Sequence, residues 1–322
     1  MLQVLKANDR ARADRLLTEQ TKAVHAAFLA FVRACQKIDL AEMNGHGGVE
    51  AILRLVDREI ERFANAWPAA FLASANVVAA QLSRRLRAKA AATVAIDFNP
   101  GHPEAARLME SNRLNLVRDL SQQQREIVRQ ALTTGLARGE GTAAIARRFA
   151  NAIGLSPAQA QQLDTYRRSL EASRSPIDAG LVGPGEAPAV DVLSPTQVER
   201  MVAAQQKQMV AARAETIART EALRVTALAQ DQALRQNLRA TGQSAALTGK
   251  TWNSAHDSRT RETHSSADGQ RRRLNDTFSI GGEQMDKPGE GSAANSINCR
   301  CVLTFEFFDS EQELTEWLAG GS

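Results

Sequence analysis

The chain has 322 residues, more than one small core organises, and suits two or three domains. Apolar residues make up 43% and charged residues 24%, an ordinary balance for a folded soluble protein; aromatics are only 4%, and abundant alanine points to closely packed helices. Forty Lys and Arg against 36 Asp and Glu leave a formal charge of +4, a mild bias that permits contact with DNA but lacks the strong basic stripe of a dedicated DNA binder.

The opening Met1-Leu2-Gln3-Val4-Leu5-Lys6 has no long apolar core behind a basic start, so no secretory signal is expected. No run of about 18 apolar residues predicts a membrane span. Val49, Ile52, Leu53, Val56, Ile60, Phe63 and Trp67 recur at three- and four-residue steps and predict one helical face. Asn44 to Gly48 reads as a turn before it, and Pro68 as a break or kink after it. A second helix is expected from about Ala69 to Val94, followed by a connection at Asn99-Pro100-Gly101-His102-Pro103. The basic run Arg84 to Lys89 reads as a solvated helix face, with a contact to DNA or to a partner protein as the alternative.

Leu114, Val117, Leu120, Ile127, Val128, Ala131 and Leu132 mark a third helix ending near Gly135 to Gly141. Thr142 is expected to cap a short helix carrying Ile145 and Phe149 and stopped by Gly154. This stretch faintly suggests helix-turn-helix, although any helical hairpin looks the same. Ser156-Pro157-Ala158-Gln159 and Ser194-Pro195-Thr196-Gln197 share a start signature: N-cap Ser, first-turn Pro, capping-box Gln. Between them, Ser173 to Val192 is rich in Pro, Gly, Ala and Ser and reads as a hinge. A long helix is expected from Val198 to about Arg239, with a bend along it.

After Gly249 the character changes. Trp252 lies in a strand-like run and reads as a core residue. Residues 253 to 300 are polar and rich in turn formers; Val302 to Phe308 then alternates, with Leu303, Phe305 and Phe307 on one face. Ser310-Glu311-Gln312-Glu313 starts a last helix holding Leu314, Trp317 and Leu318. The fold class expected is α+β: a long N-terminal all-α helical region, then a small C-terminal α+β domain with a short antiparallel sheet. The divisions expected are 1–135, a helical region; 136–193, a helical connector and hinge; and 194–322, the long helix plus the small α+β unit.

Polar loops as long as 253–300 need something to hold them. Cys35, Cys299 and Cys301 are odd in number, which argues against a disulfide framework and for synthesis in a reducing cytosol. Residues two apart on a strand share a face, so Cys299 and Cys301 can point at one metal, and zinc takes thiolate and imidazole ligands. His264 is the third candidate, with His256, Asp257 or Asp268 to complete a tetrahedron. The competing reading is two small buried thiols and a hydrogen-bonded histidine. Asp257, Arg259 and Arg261 suggest a salt-bridge lattice, or else an anion or phosphate site that includes Arg271, Arg272 and Arg273. Those last three read first as a solvated basic surface. Glu221, if buried, needs a cationic partner among these arginines.

Taken jointly, these blocks resemble the phage Mu F-like minor head proteins, also called the phage head morphogenesis domain. The resemblance rests on Thr220-Glu221, Lys250-x-Trp252, Asp257-x-Arg259-x-Arg261-x-x-His264, Asp268-Gly269 and Asn298-Cys299-Arg300-Cys301, and covers about residues 140 to 308. It implies a structural role in head assembly: a component of the capsid interior made in the host cytoplasm, with the portal protein, major capsid or scaffolding proteins and double-stranded DNA as partners and no membrane. The resemblance itself implies no cofactor; a structural zinc at His264, Cys299 and Cys301 rests on the residue types alone. The alternatives are a metal-dependent nuclease or toxin-type enzyme built on Asp257, His264, Asp268 and the cysteines, although no recognised catalytic motif is present, and a DNA-binding module. About the first 130 residues carry no motif.

Overall fold

A computed structural model describes residues 2–38, 48–90, 97–172 and 193–320. Six helices come first: α1 (Leu2–Cys35), α2 (Gly48–Ala64), α3 (Ala66–Ala90), α4 (Pro103–Ala137), α5 (Thr142–Ala152) and α6 (Pro157–Ala172). The long α7 (Pro195–Thr241) leads into β1 (Thr248–Asn253), α8 (Glu262–Ser265), β2 (Arg271–Arg273), β3 (Phe278–Ile280), β4 (Glu283–Met285), α9 (Ala293–Ser296), β5 (Val302–Phe307) and α10 (Glu311–Ala319). The architecture is the expected α+β one, helical first and with a small antiparallel sheet near the end.

Several helix starts follow from local chemistry. The Ser156 hydroxyl accepts from Gln159 N–H at 3.2 Å, and the Gln159 side chain accepts from Ser156 N–H at 3.0 Å, a reciprocal capping box that opens α6. Ser194 and Gln197 repeat it at α7, at 2.6 and 3.2 Å, and Ser310 Oγ accepts from Glu313 N–H at α10. The start of α5 departs from expectation: Gly141 is the N-cap, without a side-chain bond, and Thr142 is the first helical residue. Pro68 does not break a helix either. The break falls at Asn65, and Pro68 sits in the first turn of α3, where its missing N–H has no helical acceptor to lose. α7 runs without interruption over 47 residues. Of the turn expected at Asn44 to Gly48, residues 44–47 lie outside the described residues, and Gly48 is the first residue of α2. The hinge at 173–192 and the end of the second helix beyond Ala90 also lie outside them.

The chain forms two compact units interleaved along the sequence. One comprises Phe28–Ala64 and Leu114–Ala214. Its core includes Phe28, Phe31 and Phe63, with Phe28 edge-on to Phe63 at 5.5 Å. Buried Gln124 donates to Leu155 O at 3.1 Å and accepts from Gly154 N–H at 3.0 Å, so one carboxamide satisfies both polar groups of the α5–α6 turn. Arg167 makes a two-pronged pair with Glu199 at 2.6 and 3.0 Å.

The other unit comprises Met1–Ala27, Asn65–Arg113 and Glu215–Ser322. Trp67 stacks on Phe71 at 5.8 Å, and Phe71 meets Phe98 at 5.9 Å. The three-stranded sheet has the order β2-β1-β5, antiparallel throughout, with Lys250 opposite Arg272 on one side and Phe305 on the other. β3 and β4 form a separate hairpin turned by Gly281 and Gly282, both at positive φ. By length and composition the stretch Glu50–Arg84 reaches the apolarity of a membrane span, a qualification of the sequence reading. Half of its most apolar window is buried inside the fold, and α2 ends within the Glu50–Arg84 stretch at Ala64.

The end of α10 closes over the sheet at one glycine. The Trp317 ring lies against Phe308 at 5.3 Å and beneath the Arg271 guanidinium at 5.0 Å, and it occupies the place where a side chain on Gly249 would stand. Gly249→Ala should therefore destabilise the protein by about 1–3 kcal/mol, the usual cost of overpacking. Denaturant unfolding checks this, and Trp317→Leu in the same chain should recover part of the loss.

Candidate functional site

The polar residues of 248–301 organise around α7 and β1. Thr220 lies on the buried face of α7; its hydroxyl donates to Thr216 O at 2.8 Å and accepts from Asn298 N–H at 3.2 Å. Asn298 has a φ of 56°, a conformation costly for a side-chain-bearing residue, and this bond helps hold it. Glu221, 8% exposed, pairs with Arg224 at 2.7 Å and accepts from the Trp67 indole N–H at 3.3 Å. The expected pairing of Glu221 with Arg259 or Arg261 is not seen. Its cation is one turn along its own helix, where an i,i+3 partner is held in reach without ordering a loop.

Lys250 is 1% exposed, and its ammonium is bonded to the Asp286 carboxylate and, at 3.0 Å, to Asp286 O. The Phe278 ring lies 5.2 Å from it. Burial drives the Lys250 pKa down from its ordinary value, against the Asp286 carboxylate, which raises it. Lys287 joins the network with 2.8 Å contacts to Asp286 and Glu290, and Glu290 accepts from Asp286 N–H at 3.0 Å. Two buried lysines are thus matched by two partly exposed carboxylates. Beside them Gly289, at φ 91°, sits close to the Arg224 backbone and lets the loop lie directly on α7.

Asp257 is bonded to Arg300 through both guanidinium arms; Arg259 is a looser neighbour at 3.8 Å, and its own N–H donates to Asp257 at 3.0 Å. The Arg300 hydrogen bonds hold the Asp257 carboxyl well below its ordinary range, against some desolvation. Arg261 instead donates to Ile297 O at 2.5 Å. The lattice expected of Asp257, Arg259 and Arg261 is therefore a set of separate braces, with Arg300 the main partner of Asp257. Asp268 accepts from Ser254 N–H at 2.7 Å and pairs with His256 at 3.2 Å. Gly269, at φ 79°, donates its N–H to Trp252 O at 2.9 Å, and Trp252 N–H donates to Gln270 O at 3.0 Å. These two bonds carry the pairing of β1 on from β2 into the Asp268-Gly269 turn.

The two cysteines flank Arg300 in the extended approach to β5. Arg300 turns outward to Asp257, while Cys299 and Cys301 turn inward, both buried. His264, on α8, is also buried; its Nδ1 lies 3.4 Å from Cys301 Sγ and 3.5 Å from Cys299 Sγ, and its Nε2 lies 3.3 Å from Asn295 Oδ1. Trp252 packs edge-on to the His264 ring at 5.8 Å and to Phe278 at 5.4 Å. The three soft donor atoms lie within 4.8 Å of one another, and all three cysteines of the chain are free thiols. Hydrogen bonding from Cys301 pulls the Cys299 pKa down to about 5 and correspondingly pushes Cys301 up, because the pair readily gives up one proton and resists losing the second.

His256, Asp257 and Asp268, named as completing ligands, are not in this group; each is engaged as described above. Arg271, Arg272 and Arg273 form the edge strand β2, and each guanidinium is engaged: Arg271 with Trp317 O at 2.7 Å, Arg272 with Thr277 O at 3.1 Å, Arg273 with Glu311. The side chains that sequence reasoning missed are Trp67, Asp286, Lys287, Asn295 and Arg300. Of these, only Arg300 carried a signal, since it sits within the Asn298 to Cys301 block.

Residues 193–304 match the family model described as Phage Mu protein F like protein. This segment is Mu F-like. No curated protein and no solved structure matches the chain. The residues that carried the resemblance all fall inside the Mu F-like segment; Thr220, Glu221, Lys250, Trp252, His264, Cys299 and Cys301 are buried, whereas Asp257, Arg259, Arg261, Asp268, Gly269, Asn298 and Arg300 are exposed or half-buried.

Thr220→Val keeps the shape of the side chain and deprives Asn298 N–H of its acceptor. It should lower stability by about 1–3 kcal/mol, whereas Thr220→Ser should fall much closer to the parent; thermal unfolding of the three chains compares them.

Proposed function

We propose that the chain is a minor head protein of a tailed bacteriophage, a low-copy structural component inside the capsid at the portal vertex. The observation that carries this reading is the Mu F-like match over 193–304, the region in which the motif side chains brace irregular backbone. Its partners in this reading are the portal protein and major capsid or scaffolding proteins, met in the host cytoplasm during assembly, with packaged or ejected DNA as a further contact.

A structural role is supported by how the polar residues are used. Lys250, Asp257 and Asp268 are each committed to holding a loop, and His264 is buried beside a tryptophan. A nuclease needs a carboxylate or histidine positioned toward an open metal coordination site. Contact with DNA through β2 would have to compete with the bonds that already engage its arginines.

Mass spectrometry of full virions and of empty heads from the phage that encodes this chain tests the proposal. The chain should be present at far fewer copies than the major capsid protein, and deleting its gene should lower the yield of infectious particles. Absence from both kinds of particle, with infectivity unchanged by the deletion, would overturn it.

A further inference from the structure

We infer that His264, Cys299 and Cys301 form a zinc site that fastens α8 to the approach of β5, an inference independent of the head-protein reading. The orientation of the histidine carries the argument. Asn295 Nδ2 donates to Ile280 O at 3.4 Å, which turns its Oδ1 toward His264 Nε2. An oxygen there requires hydrogen on Nε2, and in the neutral imidazole Nδ1 is then left with a bare lone pair. That lone pair is close to two sulfurs at once, at 3.4 and 3.5 Å, although one lone pair accepts only one good hydrogen bond. A single ion between the three atoms engages them all.

The spacing fits. Bonds of about 2.3 Å to sulfur and about 2.0 Å to nitrogen, at tetrahedral angles, set an N–S separation of about 3.5 Å. Two thiolates and an imidazole favour zinc over hard cations such as magnesium or calcium. The Asn295 contact is the outer hydrogen bond that zinc-binding histidines characteristically make. Gly281, whose φ is 57°, leaves the room that Asn295 needs. Cys299 also lines a cavity of about 460 Å³.

The test uses the full chain, purified without chelator. Elemental analysis should find one zinc per chain. Exchange for cobalt(II) should give near-ultraviolet thiolate-to-metal absorption and the intense visible bands of a tetrahedral ion. Cys301→Ser should remove most of the thiolate absorption, and Asn295→Ala, which keeps all three ligands, should weaken zinc binding about 10–100-fold in competition with a chromogenic chelator. Should the cysteine variant fail to fold, the cobalt spectrum of the parent chain still decides. No bound zinc together with no thiolate absorption at saturating cobalt would overturn the inference, as would a cobalt spectrum unchanged in a folded Cys301→Ser chain.

Discussion

Between β1 and β5 the backbone makes only three-residue strands and four-residue helices, so its shape depends on side chains that reach into it from α7 and β1. The buried Lys250–Asp286 pair is the chief of these. An ammonium that is 1% exposed must find oxygen, and here the oxygen belongs to a loop residue 36 positions away. Removing Asp286 would strand the Lys250 ammonium in a nearly dry interior, whereas Asp286 without Lys250 would keep Lys287.

The same logic recurs on each side of that pair. Thr220 secures Asn298, Asp268 secures Ser254, and Arg261 secures Ile297, each by a bond from a side chain to a backbone group. Such bonds suit a segment too irregular to pair its own N–H and C=O groups in ladders. The outcome is a polar-braced unit of small size attached to a long helix.

The parts of this fold that were legible in the sequence are those whose partners lie close along the chain. The capping pairs at Ser156, Ser194 and Ser310 span three residues and could be read directly, as could the alternation that puts Cys299 and Cys301 on one side of Arg300. The α+β class followed from the change of periodicity after Gly249. Long-range partners were not legible: Trp67 is 154 positions from Glu221, Arg300 is 43 from Asp257, and Asn295 is 31 from His264. Residue type told that Glu221 and Asp257 would need partners but not which ones. Pro68 and Thr142 were misread for a local reason, since both sit one to three residues inside a helix start, where their chemistry also fits a boundary.

Amide hydrogen exchange across 253–301 tests the central claim most directly. If side chains fix this segment, the N–H groups of Ser254, Gly269, Asp286 and Asn298 should exchange as slowly as those of β1, and Lys250→Met should speed exchange through 278–291 while leaving α7 protected. Rapid exchange throughout 253–301 in the parent chain, beside a protected β1 and α7, would contradict it.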